Sequence, residues 1–289
     1  MTEKILKKIK NLLILGRYNY PTGGFLLFWP CIWGLFYQIE FHKDLAEYII
    51  LFFIGSFVMR GAGCCINDLF DQNFDKQVSR TKKRPLASGQ LKNIDALIFI
   101  IFQLIIGLIV VLNLKFKVIF FSFIVIPLVF SYPLFKRITF FPQILLGVIF
   151  NWGILIGFLT QNDQLNYGII FLYLAGVFFT IAYDTIYAHQ DIKDDKRIGV
   201  KSIAILFEEN STHFLLLIYI CSLFFFTNSI ILKDEFSKNY LALFSFLITI
   251  CFLFQYLSFK KKKNLKLIFD SCNYVGGLIA TLLFSQNYL

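Results

Sequence analysis

The chain carries little charge for its length. Asp, Glu, Lys and Arg together make up 16% of its 289 residues, whereas apolar residues make up 57% and the mean hydropathy is +0.68. Soluble domains contain about 25% charged and about 45–50% apolar residues. Apolar runs also recur along the whole length, which excludes one soluble domain with a single core. The composition therefore predicts a polytopic membrane protein.

Residues that build zinc sites or disulfide frameworks are scarce. There are six cysteines and three histidines, without a CxxC pair and without two histidines four residues apart, so neither zinc nor a disulfide framework is indicated. The cysteines fall in apolar segments and are interpreted as small buried hydrophobic residues. A calcium EF-hand is excluded, because no acidic stretch has its glycine and its terminal glutamate.

Nine segments are apolar over the roughly 20 residues that a transmembrane helix needs. They lie near 21–40, 46–66, 95–113, 117–135, 142–160, 165–186, 213–232, 240–258 and 267–285. Pro127 and Pro133 interrupt the fourth, where a kink is expected. The basic N-terminus precedes a long apolar stretch with no small-residue cleavage site, so the first helix is expected to be retained. The predicted fold is all-α.

Basic residues are distributed asymmetrically between the loops. With a cytoplasmic N-terminus, most of the 28 Lys and Arg residues lie on the cytoplasmic side, as the positive-inside rule requires. This placement explains the net charge of +10, so no nucleic-acid partner is predicted, and no obligate protein partner is evident. We expect an integral protein of a bacterial inner membrane, in contact with the lipid bilayer.

Seven of the 18 acidic residues lie in two clusters, NDLFDQNFD (67–75) and YDTIYAHQDIKDD (183–195), each where an apolar segment ends. The topology places both on the cytoplasmic side. Residues three, four and seven apart share a helix face, so the side chains of each cluster converge. The converging groups are Asn67, Asp68, Asp71 and Asp75 in the first cluster, and Asp184, Asp191, Asp194 and Asp195 in the second. Because Mg²⁺ combines one or two carboxylates with substrate phosphates, the pattern predicts a Mg²⁺–diphosphate site.

Basic residues interleave with both clusters and are candidates to bind phosphate oxygens. They are Arg80, Lys82 and Arg84 after the first cluster, and Lys193, Arg197 and Lys201 around the second. Positive-inside topology explains any single one of them better. Arg60 differs, because it lies about two turns inside the second apolar helix, where an unpaired cation is costly. We expect its partner to be a substrate carboxylate or an internal Asp.

The two clusters are spaced like a repeat, and each is followed by a basic loop and further apolar helices. This predicts a single domain over 1–289 built from two related halves, about 20–140 and 141–289, with a site between them. The alternative to a Mg²⁺–diphosphate site, from another functional class, is an ion-coupled transporter. It should place its acids near the middle of the bilayer, whereas these lie at helix ends.

Several stretches resemble a known family. Residues 60–89 (RGAGCCINDLFDQNFDKQVSRTKKRPLASG) and 183–207 (YDTIYAHQDIKDDKRIGVKSIAILF) resemble the two signatures of the UbiA-type membrane prenyltransferases. Residues 17–35 and 131–143 resemble its 4-hydroxybenzoate polyprenyltransferase branch, although Asn19 stands where that branch usually has Asp. The similarity covers most of the chain.

The resemblance implies nine transmembrane helices around a central cavity, capped by the two cytoplasmic loops. It implies Mg²⁺-dependent transfer of a polyprenyl group from polyprenyl diphosphate to the ring carbon ortho to the hydroxyl of 4-hydroxybenzoate, in ubiquinone biosynthesis. A sister enzyme that uses naphthoate, homogentisate or haem is the nearest alternative.

The resemblance also implies roles for individual residues. The first acidic cluster would hold one Mg²⁺–diphosphate set and the second cluster the other. Arg60 matches a position near the acceptor carboxylate, and the basic pair Lys136 and Arg137 matches a position near the diphosphate or the acceptor. Asp71, Asp191 and Arg137 are therefore expected to be catalytic, with Asp191 as the base that removes the ring proton.

Overall fold

The structure, a computed structural model, describes residues 2–39, 44–233 and 237–288, and within them it is helical with no strand. The helices are α1 (Thr2–Leu15), α2 (Thr22–Tyr37), α3 (Leu45–Phe70), α4 (Gln72–Asp75), α5 (Asn93–Leu112), α6 (Phe116–Ile124), α7 (Ile126–Ile138), α8 (Pro142–Leu159), α9 (Tyr167–Ala188), α10 (Ile192–Ile198), α11 (Ile203–Leu206), α12 (Ser211–Ile231), α13 (Lys238–Lys260) and α14 (Leu265–Ser285). The predicted all-α class is confirmed.

Eight spans in the described residues are long and apolar enough to cross a membrane, and the protein is an integral membrane protein. They are α3, α5, the α6–α7 pair, α8, α9, α12, α13 and α14. The first predicted span corresponds to α2, which is apolar but has 16 residues. The predicted number of nine is therefore not confirmed by length, while each of the nine segments does contain a helix.

The fourth predicted span is divided at Val125, between α6 and α7. Pro127 lies in the first turn of α7 and Pro133 lies inside that helix. A proline in the first turn costs no hydrogen bond, because the N–H it lacks has no partner in the helix anyway. The helix is thus interrupted where the sequence predicts a kink.

The main apolar core lies where α2, α8, α9, α12 and α14 meet. Helices approach closely there because α2 and α8 carry glycine at their crossing. A Cβ on Gly34 would lie 2.0 Å from the carbonyl oxygen of Ile154, and one on Gly157 would lie 2.1 Å from that of Cys31. Small residues at helix contacts are typical of membrane proteins. Gly153, one turn before Gly157, also faces α2, since a Cβ there would lie 2.6 Å from Cys31 Sγ.

Both acidic clusters lie at the same end of the bundle, each divided between the end of a helix and the loop that follows it. The prediction that each cluster occupies one face of a continuous helix is therefore wrong, because α3 ends at Phe70 and α9 ends at Ala188. Loop A (residues 71–91) follows α3 and contains α4, and loop B (residues 189–202) follows α9 and contains α10. Gly199 ends α10 with a φ of 77°, a left-handed conformation that favours glycine. The relation between residues 20–140 and 141–289 as repeated halves stays a prediction.

Replacing Gly157 with Ala should destabilise the protein by about 1–3 kcal/mol, since the new methyl group must separate α8 from α2. The same change at Gly63, where no atom lies within 4 Å of the added Cβ, is the matched control. It should be neutral or stabilising by up to about 1 kcal/mol, because Ala favours a helix over Gly. Thermal unfolding in detergent compares the two, and equal Tm values would contradict the close crossing.

Candidate functional site

A cavity of about 290 Å³ lies between the helix ends that carry the acidic clusters. The predicted site residues that line it are Arg60, Asn67, Asp68, Asp71, Asp75, Arg80, Arg84, Asp184, Asp191, Asp195 and Lys201. Both clusters except Asp194, together with four of the predicted basic residues, therefore share one cavity. Its deeper wall is apolar and includes Leu26, Phe57 and Phe150.

Two arginines hold the carboxylates of the first cluster. Arg84 Nη1 donates to Asp68 Oδ1 at 2.9 Å and to Asp75 Oδ2 at 2.9 Å. Arg17 Nη2 donates to both carboxylate oxygens of Asp68 at 2.8 Å. Asp68 is 2% exposed, and a carboxylate buried to this degree is strongly unfavourable unless it is paired. Burial raises the pKa of Asp75 above its ordinary value, and the nearby Arg84 offsets only part of that rise.

Arg17 is a site residue that the sequence did not reveal. Its φ of 61° is left-handed, and its Nη1 donates to the carbonyl oxygens of Ile14 and Leu15 at 3.0 Å. The side chain therefore caps the C-terminus of α1 while it pairs with Asp68. Its position just after Gly16, where the apolar pattern of α1 stops, was the available signal for the cap. Nothing local pointed to its partner Asp68.

The second cluster is tied to loop A. Arg80 Nε donates to Asp191 Oδ1 at 2.9 Å, and Arg80 Nη1 donates to the hydroxyl of Tyr187 at 2.8 Å. The guanidinium carbon of Arg80 also lies 5.1 Å from the centre of the Tyr187 ring. The backbone N–H of Ser79 donates to Asp194 Oδ2 at 2.8 Å. Because Arg–carboxylate contacts of this kind are strong and directional, they hold loop A on loop B over the cavity.

Asp71 has a different arginine beside it. Arg137 Nη2 lies 3.5 Å from Asp71 Oδ1 and donates to the carbonyl oxygen of Phe70 at 3.1 Å. The Arg137 guanidinium also stacks 4.9 Å from the Phe74 ring centre. Arg137 thus supports Asp71 from beside the cavity. The side chain of its predicted companion, Lys136, lies outside the described residues.

The remaining predicted bases are placed differently. Lys201 lines the cavity and donates to the carbonyl oxygen of Ile138 at 3.1 Å. Lys82, Lys193 and Arg197 have exposed side chains and are not among the residues that line the cavity. Their assignment to diphosphate binding stays a prediction.

Arg60 lies in the deeper part of the cavity, on α3. Its guanidinium carbon is 5.3 Å from the centre of the Phe150 ring, and Gly23 makes room for it, since a Cβ there would lie 2.5 Å from Arg60 Nε. Within the described residues, Arg60 Nε is buried and has no hydrogen-bond partner. Asp184, on α9, lines the same cavity as Arg60. A buried donor without a partner is unfavourable by about 1–3 kcal/mol, which marks Arg60 as a position for an anionic ligand group.

An acidic residue in the last helix was also missed. Tyr20 and Thr22 both donate to Asp270 Oδ1, the second at a distance of 2.9 Å. Tyr20 lines the cavity, so these bonds tie the segment before α2 to α14. Burial, followed by the bond to Asp270, raises the pKa of Tyr20. A lone acid in an apolar helix was the sequence signal for a functional or pairing role.

The donors around the cavity suit Mg²⁺ in type, since they are carboxylate and amide oxygens. Among the described residues no three His, Cys, Asp or Glu side chains are close enough to hold an ion by themselves. Mg²⁺ commonly takes one or two carboxylates and completes its shell with phosphates and water. The site therefore fits a Mg²⁺ ion that is bound together with a phosphate-bearing ligand.

Residues 27–268 match the UbiA prenyltransferase family. The chain is 45% identical over 214 residues to the mitochondrial 4-hydroxybenzoate polyprenyltransferase of Drosophila pseudoobscura pseudoobscura, covering 73% of this chain and 54% of that protein. It thus spans about half the length of this relative. It is 38% identical over 278 residues to the 4-hydroxybenzoate octaprenyltransferase of Blochmanniella pennsylvanica, covering 95% of this chain and 94% of that protein.

Solved structures share the fold. A UbiA homologue from Aeropyrum pernix K1 has a TM-score of 0.77 at 20% identity, covering 92% of this chain and 98% of that one. A UbiA homologue from Archaeoglobus fulgidus, bound to GPP and Mg²⁺, has a TM-score of 0.73 at 17% identity. The match covers 96% of this chain and 100% of that one. The helical arrangement around the cavity is therefore that of a known membrane fold.

Replacing Arg84 with Gln should destabilise the protein by about 2 kcal/mol, since Asp68 and Asp75 lose the cation between them. The loss should shrink as the pH falls from 8 to 5. Burial already raises the pKa of Asp75, and without Arg84 its carboxyl should take up a proton at a still higher pH, which removes the repulsion. Chemical unfolding in detergent at the two pH values measures this.

The exposed neighbour Lys83 provides the control for Arg84. Replacement of Lys83 with Gln should change the unfolding free energy by less than about 0.5 kcal/mol at both pH values. An Arg84→Gln variant as stable as Lys83→Gln at pH 8 would show that Arg84 does not offset the two carboxylates.

Proposed function

Because the chain belongs to the UbiA prenyltransferase family, we propose that it transfers a polyprenyl group from polyprenyl diphosphate to 4-hydroxybenzoate. The group joins the ring carbon ortho to the hydroxyl, with Mg²⁺ as cofactor, in ubiquinone biosynthesis. The observation that carries the proposal is the single cavity that both acidic clusters line, with arginines between them and Arg60 deeper inside. Relatives named for this reaction support the acceptor. A bacterial inner membrane with both loops cytoplasmic is part of the proposal.

The acidic residues would hold Mg²⁺ from two sides of the cavity. One side offers Asn67, Asp68, Asp71 and Asp75, and the other offers Asp184, Asp191 and Asp195. Bound Mg²⁺ would offset the negative charge that grows on the departing diphosphate. The arginines beside these carboxylates are in place to donate to the remaining phosphate oxygens. Arg80 and Arg84 both line the cavity, and each would then exchange a carboxylate partner for a phosphate one.

The deeper part of the cavity fits the aromatic acid. Arg60 has an unused buried donor and would bind the acceptor carboxylate, a charge-assisted contact. It precedes Asp68 by eight residues of α3, or about 12 Å along the helix axis. That separation leaves room for the ring between its carboxylate at Arg60 and the diphosphate at the acidic clusters. Phe57 and Phe150 would cover the ring faces.

The chemical step follows from this placement. The bond between C1 of the prenyl chain and the diphosphate oxygen breaks, and the electron-rich ring carbon ortho to the hydroxyl bonds to C1. Aromatic side chains on the cavity wall, among them Tyr132 and Tyr187, attract the positive charge on the allylic carbon. The ring then loses its proton to a carboxylate. Asp191 is our choice for that carboxylate. Arg80 would by then have exchanged Asp191 for a phosphate oxygen, and the ring carries a positive charge once it has bonded to C1, which makes its proton strongly acidic.

A product assay tests the activity. Purified protein in liposomes, supplied with Mg²⁺, polyprenyl diphosphate and 4-hydroxybenzoate, should yield a prenylated 4-hydroxybenzoate by mass spectrometry. Replacing Asp71 or Asp191 with Asn should lower the rate by about 10²-fold or more. Each change removes a carboxylate charge that would hold Mg²⁺ beside the diphosphate. The exposed Lys76→Gln is the control and should keep the wild-type rate.

Three outcomes would count against the proposal. Product from naphthoate or homogentisate alone would contradict the acceptor. Absence of any prenylated product would contradict prenyl transfer itself. Full activity in both Asp variants would contradict the site.

Arg60→Gln should raise the KM for 4-hydroxybenzoate by about 10–100-fold, since a hydrogen bond to a charged group contributes about 1.5–3 kcal/mol. The KM for polyprenyl diphosphate should stay within about twofold, because Arg60 lies about 12 Å along α3 from Asp68, deeper than the arginines proposed to bind the diphosphate. Wild-type protein should prefer 4-hydroxybenzoate over its uncharged amide, and the variant should lose that preference. If wild-type protein and Arg60→Gln preferred 4-hydroxybenzoate over its amide equally, the acceptor carboxylate would not bind at Arg60.

A further inference from the structure

The N-terminal helix α1 has a buried side and an exposed apolar side. Asn11 and Leu15 are buried against the protein, where Leu15 packs with the ends of α3 and α5. A second face carries the exposed apolar residues Ile5, Leu6, Ile9 and Leu13. At 100° per residue, these four fall within about 100° of the helix circumference. A helix that confines its exposed apolar residues to one side in this way is typical of helices that lie in a membrane surface.

The surroundings of α1 indicate what covers its apolar face. Lys8 pairs with Asp95 in the first turn of α5, at a distance of 2.6 Å. The helix therefore lies at the level where α5 begins its membrane span. Ile94 and Ile98, on the first two turns of α5, are also more than half exposed, so both helices expose apolar residues at this level. Lipid chains are the apolar phase that meets residues exposed at the start of a membrane-spanning helix.

The charge of α1 indicates the type of lipid. Lys4, Lys7 and Lys10 are exposed and lie on the side of the helix away from Ile5 and Ile9. Glu3 is the one acidic residue in the helix sequence. Lysines on the polar face of an interfacial helix bind anionic headgroups. The charge therefore complements a bilayer that contains acidic phospholipid.

We propose that α1 is a membrane-surface helix that binds anionic phospholipid. We also propose that this binding affects the cavity, because the C-terminus of α1 is bonded to the cavity residue Asp68. Arg17 makes the connection, because one side chain bonds the carbonyl oxygens of Ile14 and Leu15 and both carboxylate oxygens of Asp68. Movement of the end of α1 therefore displaces a partner of Asp68. This role is separate from the proposed prenyl transfer and holds for any reaction in the cavity.

Hydrogen exchange of the full-length protein in lipid nanodiscs tests the proposal. The amides of α1 should exchange on the order of tenfold more slowly in discs with phosphatidylglycerol than in discs of phosphatidylcholine alone. Lys7→Gln/Lys10→Gln should remove that difference. Lys260→Gln/Lys261→Gln, a matched pair at the C-terminal end of α13, should leave it intact. Equal exchange of α1 in both lipids, or an undiminished difference in Lys7→Gln/Lys10→Gln, would overturn the lipid assignment.

Hydrogen exchange also tests whether a second copy of the chain, and not lipid, covers the apolar face of α1. It further tests whether α1 is coupled to Asp68 through Arg17. Protection of α1 that appears only in discs loaded with two copies would show that a second copy covers the face, and would overturn the proposal. Arg17→Gln should keep the lipid effect on α1 and lose it for the peptide that contains Asp68. A lipid effect at Asp68 that survives in Arg17→Gln would overturn the coupling.

Discussion

The pairing of arginines with carboxylates around the cavity is the interaction on which the rest of the site depends. Asp68 has two guanidinium partners, Asp75 shares one of them, and Asp191 is bound from the opposite loop. So many carboxylates at one end of a membrane bundle would repel one another without these cations. One of these contacts, between Arg80 and Asp191, also holds loop A on loop B. At that contact, charge neutralisation and closure of the cavity are one structural feature.

This pairing has a consequence for ligand binding. A metal ion that binds Asp68, Asp75 or Asp191 has to compete with a guanidinium group that already satisfies the carboxylate. A diphosphate changes the balance, because it offers those guanidinium groups phosphate oxygens in exchange. Metal and diphosphate should thus favour each other's binding, and each should bind weakly alone. Arg60 stands outside this exchange, which lets the acceptor carboxylate be recognised independently of the diphosphate.

The features that could be predicted from the sequence are those that local pattern determines. Apolar length located the membrane helices, and the sequence placed both acidic clusters where such helices end. The continuous helical spacing expected within each cluster was wrong, because α3 ends before Asp71 and α9 ends before Asp191. The features that could not be predicted depend on contacts between segments that are distant in the sequence. Arg17 meets Asp68 and Tyr20 meets Asp270 only through the packing of α1, α2 and α14. Likewise, Arg80 and Lys82 look equivalent in the sequence, yet Arg80 lines the cavity and bonds Asp191, whereas Lys82 is not among the residues that line it.

The most direct test of this account is the binding of Mn²⁺, as a paramagnetic substitute for Mg²⁺, followed by electron paramagnetic resonance with and without an unreactive prenyl thiolodiphosphate. The account predicts that the analogue tightens Mn²⁺ binding by about 5–150-fold, the usual range for coupling between two ligands. It also predicts that Arg80→Gln strengthens Mn²⁺ binding in the absence of the analogue, because Asp191 is released. Mn²⁺ affinity that is the same with and without the analogue, and unchanged in Arg80→Gln, would contradict the account.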